Sequence, residues 1–174
     1  RLPTHSDIVA TDLSPTMLQM AQARGTARRV AWRQADAMRL PFADGEFDVV
    51  VCQFGAMFFP DRACAFAEAR RVLAPGGVFL FNTWDRIEDN DFPLTVTQAL
   101  ADVFPDDPPT FMARIPHGYH DVAVIGRDLA SGGFDDAPRI ETLDKRSPAD
   151  TPRVPAIAFC QGTPVRNEIE SRDA

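Results

Sequence analysis

Three polar residues stand where short apolar runs end. Asp12 follows Ile8-Val9-Ala10-Thr11, Asp36 follows Val30-Ala31-Trp32-Arg33-Gln34-Ala35, and Gln53 lies near the end of the run from Phe47 to Phe54. If these runs are parallel strands, the three residues sit at the carboxyl edge, where open α/β sheets bind ligands. A carboxylate there can accept both hydroxyls of a ribose, and a second one, one strand along, can accept from an adenine amino group. The same aspartates can instead organise turns and helix starts. As a pair after successive strands they point to an adenosine pocket. A second group lies in Pro116-His117-Gly118-Tyr119-His120-Asp121. There His117 or His120 can take a proton from a hydroxyl, an amine or a carbon acid, or can be an ordinary loop histidine. Their HxxH spacing lacks a third ligand nearby, which argues against a metal site. Trp84, Phe58 and Phe59 follow strand ends and can wall an apolar cavity or pack in the core.

The elements that must position these residues alternate between strand and helix. After Asp12, Ser14 is a suitable N-cap, Pro15 suits the first helical position, and Met17, Leu18 and Ala21 follow at helical spacing up to a stop at Gly25. Leu40 to Gly45 is a turn-rich connection. Phe47 to Phe54 is nearly continuously apolar, as expected of a strand buried on both faces of a parallel sheet. Asp61 can cap a helix from about Arg62 to Leu73, which Pro75-Gly76-Gly77 ends, and Val78 to Asn82 is a further buried strand. Strands separated by helices imply right-handed parallel crossovers and an α/β sandwich. Beyond Trp84 the texture changes: ten of the 15 prolines lie at or after Pro93. This part predicts a helix over about 94–103, a helix capped by Asp121 that ends at Gly132-Gly133, a strand over about 139–143, and short helices over 154–160 and 165–172.

Composition bounds the function. The chain has 174 residues, enough for one domain, with 45% hydrophobic and 25% charged residues. Its 18 basic and 25 acidic residues give a net charge of -7, a poor match to a nucleic-acid backbone. No apolar stretch approaches the ~20 residues of a membrane span. Cys52, Cys64 and Cys160 are too few and scattered for a disulfide framework. The expectation is a soluble, cytoplasmic protein.

The segments Asp7–Ser14 (DIVATDLS), Gln34–Phe42 (QADAMRLPF), Phe47–Asp61 and Arg71–Phe81 (RVLAPGGVFLF) resemble the class I S-adenosylmethionine-dependent methyltransferases. Within that family they are most similar to the small-molecule group of ubiquinone/menaquinone C-methyltransferases, the type 11 domain. The resemblance covers about residues 7–85. It implies a three-layer Rossmann-like, mostly parallel sheet, with a cofactor-binding half over 1–85 and substrate-side helices and a late strand over 86–174. It further implies S-adenosylmethionine as cofactor and a small-molecule acceptor as partner. Asp12 would hold the ribose, Leu13 and Met17 would flank the adenine, and Asp36 with the Ala37 backbone would face the adenine amino group. Gln53 and Phe54 would border the methionine part and the transferred methyl.

The family opens with a strand, a GxGxG loop and a helix, and ends with an antiparallel strand. The ten glycines here contain no GxG. The resemblance therefore implies an internal fragment, incomplete at both ends, whose absent first strand would sit mid-sheet. Such a fragment is expected to be unstable alone, or to associate with itself or a partner. Two other readings stand beside methyl transfer: a non-catalytic protein with this fold, and a nicotinamide oxidoreductase. Against the latter, Tyr119 is followed by Ala123 where a YxxxK pair would need lysine.

Overall fold

In the computed structural model, which describes residues 5–172, strands β1 (Val9–Asp12) and β2 (Ala31–Gln34) pair in parallel. Helix α1 (Pro15–Arg24) connects them. Its start is set locally: the Ser14 hydroxyl accepts from the Met17 amide, Pro15 has no N–H to leave unpaired, and Gly25 closes it at φ 69°. Strand β3 (Phe47–Gln53) pairs in parallel with β4 (Leu73–Asn82) across α2 (Arg62–Val72), which Asp61 caps through the Cys64 amide. The chain is α/β, and every ladder among the described strands is parallel.

Among the described residues the strands form two separate pairs, β1–β2 and β3–β4, so one edge of β1 and one of β3 has no ladder partner. Sequence reasoning needs correction in three places. Pro75-Gly76-Gly77 does not separate helix from strand. β4 begins at Leu73, opposite Phe47, and the register jumps to Val49↔Val78, so the PGG residues form an irregularity inside the strand. Only one face of β3–β4 is buried. Cys52, Phe79 and Phe81 point to the core, while Val49, Val51, Val78 and Leu80 are exposed. A continuously apolar run cannot by itself say whether both faces have a cover. Residues 139–143 form no strand; Ile140 and Leu143 are exposed, and an isolated extended segment has nothing to satisfy its backbone groups.

The second half is helical: α3 (Asp91–Val103), α4 (Phe111–Arg114), α5 (Val122–Ser131), α6 (Arg153–Gly162) and α7 (Val165–Glu170). Asp121 caps α5 by accepting from Ala123 and Val124. α5 returns to pack on α2, and the core gathers there around Ala56, Met57, Phe66, Tyr119, Ile125 and Leu129. Phe66 is fully buried and meets the rings of Phe79 and Phe81 at 5.6 and 5.3 Å. The approach at the end of α5 is close enough that a Cβ on Gly132 would sit 2.6 Å from that of Phe66, so only glycine fits. A smaller cluster of Ile87, Met112 and Val165 ties α3, α4, α6 and α7 together. No helix of the described residues is long and apolar enough to cross a membrane.

One cation joins the strand pairs. Arg71, near the end of α2, donates to both Glu68 oxygens at 2.7 and 2.8 Å, to Asp44 at 2.7 Å, and to the carbonyls of Phe42 and Leu40 at 2.8 and 2.9 Å. Glu68 in turn accepts from the Leu40 amide, and the Gly45 amide donates to the Arg71 carbonyl. The segment leading from β2 to β3 is thereby moulded on α2. Arg71 beside it holds the Glu68 carboxyl below the ordinary carboxylate range.

Two outcomes are expected. Phe66→Ala should cost about 3–5 kcal/mol in chemical denaturation, because the ring is fully buried and its neighbours cannot collapse into the void. Arg71→Lys should lower the thermal midpoint nearly as far as Arg71→Ala, since an ammonium cannot reproduce the planar fork; a midpoint unchanged from wild type would refute the joining role.

Candidate functional site

Parallel pairing brings Asp12 opposite Gln34, and the Ala35 amide extends the ladder by donating to the Asp12 carbonyl at 3.1 Å. Asp12 and Asp36 therefore leave neighbouring strands at one carboxyl edge. Each carboxylate uses Oδ1 to accept from the amide two residues on, Ser14 for Asp12 at 2.8 Å and Met38 for Asp36 at 2.9 Å. These are turn-forming bonds of the Asx type. The turn and ligand roles are thus compatible: among the described residues Oδ2 of each carboxylate accepts no hydrogen bond, and Asp12 is exposed. Leu13 and Met17 beside it are well exposed, and Ala37 is half-buried. Gln34 Nε2 donates to the Leu13 carbonyl at 3.0 Å and so steadies that backbone.

The carboxyl edge of β3–β4 carries the remaining sequence candidates. Gln53 is opposite Asn82. Phe54 leaves the strand with φ 51°, a left-handed conformation that costs a bulky residue about 1–3 kcal/mol. Its amide donates to both the carbonyl and the side-chain oxygen of Asn82, each at 3.2 Å. Phe54 stacks on Trp84 with centroids 4.2 Å apart and planes 19° apart. The other aromatics diverge: Phe59 packs on the core, while Phe58 is exposed.

His117 and His120 occupy different environments. His117 is 3% exposed, 6.1 Å from the Trp84 ring, with Nδ1 2.7 Å from the Asp85 carbonyl. A carbonyl only accepts, so Nδ1 carries the proton. This is no ordinary loop histidine. His120 is exposed, its Nδ1 2.7 Å from the His117 carbonyl, and Asp89 lies near enough to feel its charge. The turn between them is tight: a Cβ on Gly118 would lie 2.1 Å from the Arg114 carbonyl oxygen. Tyr119 is buried and donates to Asp128 at 2.9 Å, under the Arg62 guanidinium at 4.1 Å. Burial, with Asp128 beside it, pushes its phenol well above the ordinary range.

Asn82, Arg71 and Glu68 escape sequence reasoning as site-shaping residues. Arg71 belongs to the RVLAPGG motif, yet nothing in a motif says which backbone carbonyls its arginine will collect. A cavity of about 370 Å³ between α6 and α7 is lined by Cys160, Gln161, Arg166, Ile169 and Glu170 and includes none of the sequence candidates.

Burial moves the His117 imidazole below its ordinary pKa. A depressed base takes up more protons unfolded than folded, so stability rises with pH in this window. The contribution of His117 should be complete above pH 6.5, the ordinary value, and decline as pH falls below it. His117→Asn should flatten that slope in denaturant titrations between pH 5 and about 7.5; an unchanged slope would assign it to other groups.

Residues 2–81 match the family model described as a methyltransferase domain. A demethylmenaquinone methyltransferase of Thermus thermophilus is 45% identical over 74 residues, which cover 41% of this chain and 34% of that protein. An uncharacterised protein of Mycobacterium tuberculosis is 41% identical over 83 residues, 47% of this chain and 30% of the relative. The chain thus spans about a third of the length of the curated relatives it matches. Among solved structures, an S-adenosylmethionine-dependent methyltransferase of Thermotoga maritima superposes with a TM-score of 0.54 at 20% identity, over 74% of this chain and 55% of its own, a likeness of fold. The match to the methyltransferase-domain model thus covers residues 2–81, and the likeness to the Thermotoga maritima structure is one of α/β fold.

Proposed function

We propose that the whole protein transfers a methyl group from S-adenosylmethionine to a small-molecule acceptor by direct displacement. The observation that carries this reading is the pair Asp12 and Asp36, set at one edge of adjacent parallel strands with an oxygen of each left for a ligand. It falls within the segment that matches the methyltransferase family. Asp12 is assigned to the ribose hydroxyls and Asp36, with the Ala37 backbone, to the adenine amino group. Leu13 and Met17, exposed beside Asp12, are assigned to the adenine faces. Gln53 and Phe54 are assigned to the methionine part.

Bound S-adenosylmethionine supplies a methyl group on a positively charged sulfur. The acceptor atom would form the new bond to that methyl as the carbon–sulfur bond breaks, and the electron pair would leave with sulfur as S-adenosylhomocysteine. Such a displacement needs alignment and exclusion of water more than a reactive side chain. Where the acceptor must lose a proton, the two histidines are the assigned residues. His120 is the better placed, being exposed, whereas His117 is buried. Tyr119, buried on Asp128, offers no proton, which disfavours nicotinamide-linked oxidoreduction.

Asp12→Ala and Asp36→Ala should each weaken binding of S-adenosylhomocysteine to the whole protein by about 10-fold or more, the loss of hydrogen bonds to a charged acceptor. Titration calorimetry reads this directly. Unchanged affinity in both variants would sink the pocket assignment.

A further inference from the structure

The last residues of β2 and β4 are both carboxamides, and each reaches across its strand pair to the backbone just beyond the neighbouring strand. Gln34, opposite Asp12 in the register, donates from Nε2 to the Leu13 carbonyl at 3.0 Å. Asn82, opposite Gln53, accepts through Oδ1 from the Phe54 amide at 3.2 Å. The partner fixes the direction of each bond, because a carbonyl only accepts and a backbone N–H only donates. Both side chains are exposed, so neither serves the core.

Each bond acts on a peptide at a turn assigned to the cofactor. The Leu13 carbonyl and the Ser14 amide belong to one planar peptide. Gln34 holds its oxygen, while the N–H on the opposite side goes to Asp12 Oδ1 at 2.8 Å. Gln34 thus sets the plane that orients the Asp12 carboxylate. The Phe54 amide belongs to the Gln53–Phe54 peptide, and Phe54 sits at φ 51°, a region that bulky side chains leave when nothing holds them there.

We infer that Gln34 and Asn82 are positioning residues for the two ends of the cofactor, Gln34 for the adenosine and Asn82 for the methionine part. The inference rests on the methyltransferase reading above and deepens it. Gln34 works through a donor and Asn82 through an acceptor, so changing each to its acid has opposite results. Gln34→Glu sets a carboxylate against a carbonyl with no proton between them. Asn82→Asp keeps an oxygen for the Phe54 amide.

The test is titration calorimetry of the whole protein with S-adenosylhomocysteine and with adenosine, which lacks the amino-acid part. Gln34→Leu and Gln34→Glu should each weaken both ligands by about 5-fold, the scale of one neutral hydrogen bond. In the Asp12→Ala background Gln34→Leu should add no further loss, since it acts through that carboxylate. Asn82→Leu should weaken S-adenosylhomocysteine by about 5-fold and leave adenosine unchanged, whereas Asn82→Asp should bind both as the wild type does. Wild-type affinity in Gln34→Glu, or a full further loss on top of Asp12→Ala, would overturn the role of Gln34. An equal loss of both ligands in Asn82→Leu, or weakened S-adenosylhomocysteine binding in Asn82→Asp, would overturn that of Asn82. A wild type that bound neither ligand would instead count against the methyltransferase reading.

Discussion

The guanidinium of Arg71 is the interaction on which the rest of the fold depends. Five hydrogen bonds leave it, two to backbone carbonyls in the segment that connects β2 to β3. Without it, those carbonyls and the Glu68 carboxylate would face each other with no cation between them. The distance between the strand pairs along the chain is short, and nothing in a β-ladder joins them among the described residues. Joining therefore falls to a side chain, and arginine suits it because one planar fork can serve several acceptors in different directions. The LPF and RVLAPGG segments are physically coupled here: the first supplies the carbonyls and the second the donor.

The two carboxyl edges divide the chemistry. On β1–β2, each carboxylate holds its own turn with one oxygen, and among the described residues its second oxygen accepts no hydrogen bond. On β3–β4, the edge is aromatic and strained: Phe54 is kept in a conformation bulky residues avoid, which persists because Asn82 captures its amide twice. A polar edge suits the sugar and base of a nucleoside, and an aromatic edge suits an apolar group. The uncovered outer face of β3–β4, with Val49, Val51, Val78 and Leu80, shows that the core built by α2 and α5 serves only one side of this sheet.

Local signals in the sequence determined most of the elements. Ser14 with Pro15, Asp61 and Asp121 mark helix starts because their side chains or rings answer the unpaired amides of a first turn, and those bonds form between residues two or three apart. Asp12 and Asp36 were legible for the same reason: a residue that ends an apolar run ends a strand. Residues 139–143 were not legible, because whether an extended segment becomes a strand depends on a partner distant in sequence. The second face of β3–β4 failed likewise, since continuous apolarity records a capacity for burial and not the presence of a cover.

Tertiary structure alone decided the rest. It separated His117 from His120, one buried behind Trp84 and one exposed, although the two lie in the same six-residue stretch. It stacked Phe54 on Trp84 and set Asn82 on the Phe54 amide across 28 residues of sequence. It also gathered the acceptors of Arg71 from up to 31 residues away. Hydrogen bonds closed over short loops can be read from residue type and spacing. Contacts closed by packing of distant elements depend on geometry that no local pattern encodes.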